Sequence, residues 1–146
     1  MIKFTLQPPE RTQELRKEFD HKNMNHKFIK WLYRKGFLNK YADIISLERA
    51  RRGRMPRGFD VHHIIPLSGG GTNHVSNMCL IEQSFHKFLN KKCFDPALRS
   101  VKLGQTVELD IPELPKVALR RDFMPFIERK LKVSKDRAMY RRFFKQ

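Results

Sequence analysis

Residues 59–90 read FDVHHIIPLSGGGTNHVSNMCLIEQSFHKFLN. Phe59 to Pro66 is rich in Val and Ile and reads as a strand. Ser68 to Asn73 holds three consecutive glycines and reads as a turn or loop. Asn77 to Ile81 reads as the return strand of a hairpin, and Glu82 to Lys92 as a helix with Phe85, Phe88 and Leu89 toward a core. Successive side chains on a strand point to opposite faces, so the tandem His62 and His63 can serve one site only near a strand end. Pro66 and the glycine loop place such an end close by. The helix can fold His86 back against the strand, with Asn90 at i+4 on the same face. His62, His86 and Asn90 then converge, with His63 beside them. Two imidazoles on one cation, with a third free as a base, are equipment for metal-assisted phosphodiester hydrolysis.

The remaining sequence supplies charge. The chain has 146 residues and a formal net charge of +16, a balance that attracts phosphate polymers. Residues 1–58 carry fifteen Lys and Arg against six Asp and Glu, residues 59–94 three against two, and residues 95–146 thirteen against seven. A nearly neutral, His-rich centre therefore sits between two basic flanks. The length suggests a single domain, 1–146, divided into a basic helical flank (1–58), a central unit (59–92) and a third segment (93–146) with a β-hairpin and basic C-terminal helices. Cys79 and Cys93 are the two cysteines; without a CxxC pair a four-Cys zinc site is excluded. The expectation is a reduced, cytoplasmic protein with neither signal peptide nor membrane span.

In the first flank, Ile2 to Leu6 reads as a short edge strand and Thr12 to Phe19 as a helix. Asn25 is placed to cap a second helix carrying Phe28, Ile29, Leu32 and Tyr33, which stops at Gly36. Leu38, Tyr41, Ile44 and Ile45 extend a third helix through Glu48. It leads into Arg49, Arg51, Arg52, Arg54 and Arg57, expected with Lys87 to contact nucleic-acid backbone. In the third segment, Val101–Leu103 and Val107–Ile111 read as a second hairpin around Gly104 and Gln105. Pro112 and Pro115 mark a connector, and Phe123, Phe126, Ile127 and Leu131 give a helical stripe. Ser134 and Asp136 open a final basic helix ending near Phe144. The fold class is α+β.

The His-His-Ile strand, a Pro three residues after the second His, the Gly-rich loop, the middle Asn and a His nine residues later resemble the HNH nuclease family. The core of that family is a ββα-metal hairpin and helix. The resemblance covers residues 59–90, under a quarter of the chain, and the family's three letters fall on His63, Asn77 and His86. It implies that His63 is the general base, that His62 and His86 are metal ligands, and that Asn77 is not a ligand but ties the loop and positions the His63 strand. Asn90 stands where colicin DNases have a further His ligand, implying a weak or water-mediated contact. Glu82 and Phe85 stand where many relatives carry part of a structural zinc site. The implied cofactor is one divalent ion, Mg²⁺ or Mn²⁺, with Ni²⁺ or Zn²⁺ also suited to imidazole.

The implied activity is a DNA endonuclease, weakly specific or nicking, that leaves a 5′-phosphate and a 3′-hydroxyl. The alternatives are a module of the same fold that binds nucleic acid without cutting it, and a nuclease of RNA or branched DNA. A toxin role would add an acidic inhibitor or immunity protein as a partner. Arg54 or Arg57 offers the cation for the phosphate, and the sequence does not choose between them.

Overall fold

The chain is described here by a computed structural model covering residues 2–133 and 144–145. The fold is α+β, with two three-stranded sheets. Strand β1 (Ile2–Thr5) leads into α1 (Pro9–His21) and α2 (Met24–Arg34). A 3₁₀ turn at Asn39–Tyr41 precedes α3 (Leu47–Arg51). The hairpin is β2 (Phe59–His63) and β3 (Met78–Glu82), followed by α4 (Gln83–Leu89), a π-helical turn (Asn90–Phe94) and α5 (Asp95–Arg99). Strands β4 (Thr106–Leu109) and β5 (Val117–Ala118), helix α6 (Arg120–Val133) and strand β6 (Phe144–Lys145) complete the described chain.

The central hairpin is antiparallel, with Phe59 opposite Glu82 and His63 opposite Met78. Strand β3 lies between β2 and the parallel β5. Met78, Cys79, Leu80 and Ile81 are all buried, as a strand covered on both faces requires. Their alternation divides the apolar interior into two clusters. Cys79 and Ile81 join Phe4, Phe85, Leu89, Phe94 and Leu109. Met78 and Leu80 join Phe28, Ile29, Leu32, Ile45 and Phe59. Removing a methyl or methylene from either cluster costs the lost transfer energy and the cavity left behind.

The cysteines are buried and unpaired with each other. Burial pushes both thiols up to about 12, with Lys116 opposing the rise at Cys79. Only the thiolate reacts readily, so neither cysteine should titrate with a disulfide reagent at pH 8 in the folded protein, and both should do so in denaturant. Rapid reaction of either in the native state would contradict this packing.

Several sequence expectations are corrected. Helix α2 begins two residues earlier than an Asn25 cap would allow, with Asn23 as the cap residue, in the left-handed region at φ 50°. The third helix is interrupted: a 3₁₀ turn takes Asn39–Tyr41, and Ser46 caps the separate α3 by accepting from the Arg49 amide. The second hairpin is absent. Strand β4 pairs instead with β1, over a hundred residues away, placing Ile2 opposite Leu109 and Phe4 opposite Val107. The proline connector runs directly into β5, too short to leave a periodic signal. The expected C-terminal helix falls on residues 134–143, outside those described, whereas Phe144–Lys145 pairs with β4 as a strand.

Candidate metal and catalytic site

Asp60 and His62 alternate on β2 and share one face, toward α4. Asp60 Oδ2 lies 3.0 Å from His86 Nδ1, and Gln83 Nε2 donates to Asp60 Oδ1 at 3.3 Å. The carboxylate accepts, so Nδ1 of His86 carries the proton and its Nε2 is left bare. A carboxylate behind an imidazole in this way fixes the tautomer of a metal-binding His. The rings of His62 and His86 meet edge to face with centroids 5.0 Å apart, and Phe94 packs on His62 at 5.3 Å.

His62 is 4% exposed, and its Nε2 is buried without a hydrogen-bond partner. Burial, aided by the neighbouring His86 and His63, pushes its pKa down to about 3. The ring is therefore neutral at physiological pH, with a lone pair that nothing in the protein engages.

This pair fits a divalent cation. A metal about 2.0–2.1 Å from an imidazole nitrogen sits roughly 3 Å from the ring centroid, so two imidazoles at a tetrahedral angle have centroids about 5 Å apart. The observed spacing is 5.0 Å. Among the described residues no group of three or more His, Cys, Asp and Glu is placed to hold a metal. The protein-supplied donors at this spacing are therefore the two imidazoles, His62 and His86. Asn90 lines the same cleft, one helical turn after His86.

His63 ends β2 and also lines this cleft of about 240 Å³. Its Nε2 is 3.0 Å from Asn73 Oδ1, and Phe19 meets its ring at 4.9 Å. Burial holds its pKa below the usual value, opposed by the Asn73 hydrogen bond and helped by Arg16 and His86. It is a neutral imidazole at pH 7, as a base requires.

Asn77 ties the loop together. Its Oδ1 accepts from the Ile65 amide at 2.9 Å, and its Nδ2 donates to Ile65 O at 3.0 Å and Thr72 O at 2.9 Å. Lys116 braces the same turn, donating to Val75 O and Met78 O at 2.5 and 3.0 Å while lying over the Phe28 and Trp31 rings. His74 caps the turn through Nδ1, which accepts from the Ser76 amide.

The arginine run is partly committed elsewhere. Arg51 grips Glu48 with two hydrogen bonds and Arg52 pairs with the same carboxylate. Arg49 donates to Met55 O. Arg54, Arg57 and Lys87 are exposed, and none of them lines the histidine cleft. Its cation is Arg16 of α1. Sequence reasoning missed Arg16, Phe19 and Asp20, which reach the site from α1, and Asn73 in the loop of the hairpin itself. It also missed Asp60, although the two-residue strand period places Asp60 on the His62 face.

No family model and no solved structure matches the chain. Over 87 residues it is 33% identical to the uncharacterized protein YhhZ of Escherichia coli K12, covering 59% of this chain and 22% of that protein. The chain thus spans about a fifth of the length of that relative. No helix among the described residues is long and apolar enough to cross a membrane.

Proposed function

We propose that the chain is a metal-dependent endonuclease of the HNH type that hydrolyses phosphodiester bonds in DNA. The observation that carries this reading is the cleft itself. An antiparallel hairpin and the helix after it bring the orphaned Nε2 of His62, the carboxylate-backed His86 and the neutral His63 to one small concavity. His62 and His86 would hold the cation, with Asn90 as an outer contact. A divalent cation held there would supply Lewis-acid stabilisation of the negative charge that develops during phosphodiester hydrolysis.

The protein's residues do the rest. Arg16 presents positive charge where a phosphate enters. His63 accepts a proton from the attacking water, whose oxygen bonds to phosphorus in line with the departing 3′ oxygen. The 3′ oxygen takes a proton from solvent, giving a 3′-hydroxyl and a 5′-phosphate. The net charge of +16 draws the polyanion to the surface.

Substrate class is tested by presenting duplex DNA, single-stranded DNA, RNA and a four-way junction with Mn²⁺ and comparing initial rates. Duplex DNA should be cut fastest. A strong preference for RNA or the junction would redirect the reading to those substrates. Tight, salt-sensitive binding with no product on any of them would overturn it in favour of a non-cutting clamp.

A further inference from the structure

We infer that Asn73 is a positioning residue that locks His63 in its Nε2–H tautomer, so that Nδ1 is the atom that takes the proton from water. The catalytic part of this inference rests on the nuclease reading above; the tautomer does not.

Asn73 is buried, 6% exposed. Its Nδ2 is 2.8 Å from Leu15 O and 3.4 Å from Glu18 Oε1, and its Oδ1 is 3.0 Å from His63 Nε2. Rotating the amide by 180° would set its oxygen against a carbonyl and a carboxylate, two acceptors with no hydrogen to share. The amide therefore keeps its NH₂ toward α1 and its oxygen toward His63. An amide oxygen carries no proton, so Nε2 of His63 must donate. A neutral imidazole has one N–H, which leaves the lone pair on Nδ1.

The source of this constraint is helix α1. Leu15, Glu18 and Phe19 lie at i, i+3 and i+4 and share a face. The first two hold Asn73 and the third packs on the His63 ring. None of the thirteen residues of α1 is fully buried, so the helix adds little to the core, while it supports the base from over forty residues upstream. In the reaction the water proton passes to Nδ1, giving an imidazolium whose Nε2–H stays on Asn73, and the water oxygen's electron pair forms the bond to phosphorus.

The test is a long-range ¹H–¹⁵N spectrum of the histidine side chains of the full chain at pH 7.5. His63 should show a pyrrole-type Nε2 and a pyridine-type Nδ1. Asn73→Asp keeps an acceptor for Nε2 but sets an oxygen against Leu15 O and Glu18 Oε1, so it should retain this pattern at a lower melting temperature. Asn73→Ala should give a mixture of tautomers and lower the cleavage rate by about 10²-fold, within the range for impaired general-base catalysis. Metal binding should be unchanged. An Nδ1–H tautomer in the natural protein, or an unaltered His63 spectrum in Asn73→Ala, overturns the inference. Should Asn73→Ala fail to fold, the natural protein and Asn73→Asp decide it. Absence of cleavage by the natural protein overturns the proton-transfer role along with the nuclease reading, while the tautomer is still judged by the spectrum.

Discussion

Replacing His63 by Ala should eliminate cutting and leave the metal site in place. The two proposed roles fall on adjacent residues whose surroundings differ. His62 lies against His86 and Phe94, while His63 lies against Asn73 and Phe19. Removing the His63 imidazole leaves Asp60, His62 and His86 untouched. General-base catalysis is worth about 10²–10⁴-fold in rate, and a loss of that size is expected in single-turnover cleavage of duplex DNA under saturating Mn²⁺. In parallel, the rise in melting temperature produced by Mn²⁺, which reflects binding to the folded state, should match that of the natural protein. Residual cutting within a few-fold of the natural rate would remove His63 from the mechanism. Loss of the metal-induced shift would mean that it acts on the cation instead.

The second large effect concerns stability. A Cβ built on Gly71 would lie 1.8 Å from Ile65 O and 2.7 Å from Asn77 Nδ2, distances that backbone cannot yield without breaking the Asn77 network. Gly71→Ala should therefore fail to fold or lose several kcal/mol, beyond the ~0.5–3 kcal/mol of most substitutions. Asn77→Ala approaches the same network from the other side. It strips partners from the Ile65 amide, the Ile65 carbonyl and the Thr72 carbonyl. Ile65 is half-buried and Thr72 exposed, so water can satisfy part of what is lost; at about 1–3 kcal/mol for a group left unsatisfied, a loss of about 2 kcal/mol is expected. Gly58→Ala is the control, since a Cβ there meets nothing within 4 Å and suffers only the strain of φ +81°; it should cost about 1 kcal/mol. Urea denaturation of the three variants checks this order. Equal losses at Gly71 and Gly58 would show that the loop is not pinned at Ile65.

These effects bear on what was legible in the chain. The glycine run reads as a turn where the backbone is free, yet Gly69 lies against Phe4 and Gly71 against Ile65 and Asn77, so close approach as well as freedom selects glycine. The strand–loop–strand–helix order of residues 59–90 was visible because its alternation and its helical spacing are local. So was the grouping of His62, His86 and Asn90, because i and i+4 positions share a helix face and a hairpin fixes which strand the next helix meets. The register of β1 with β4 was not visible, because neither short strand names its partner. Nor was the dependence of His63 on Leu15 and Glu18, which a single Asn73 side chain relays across more than fifty residues. The partners of the charged residues were hidden for a related reason: Glu48 sits one turn from Arg51 and Arg52 and engages both, while Arg16, on the first helix, lines the cleft.

We propose that His62 and His86 hold a divalent cation for phosphodiester cleavage. The most direct measurement is relaxation and linearisation of supercoiled plasmid by the natural protein with Mg²⁺, Mn²⁺, Ni²⁺ or EDTA, beside His86→Ala. Cutting that requires a divalent ion, stops in EDTA and is lost in His86→Ala is the expected result. Cutting that persists in EDTA, or plasmid that stays supercoiled and bound under every metal, would contradict it.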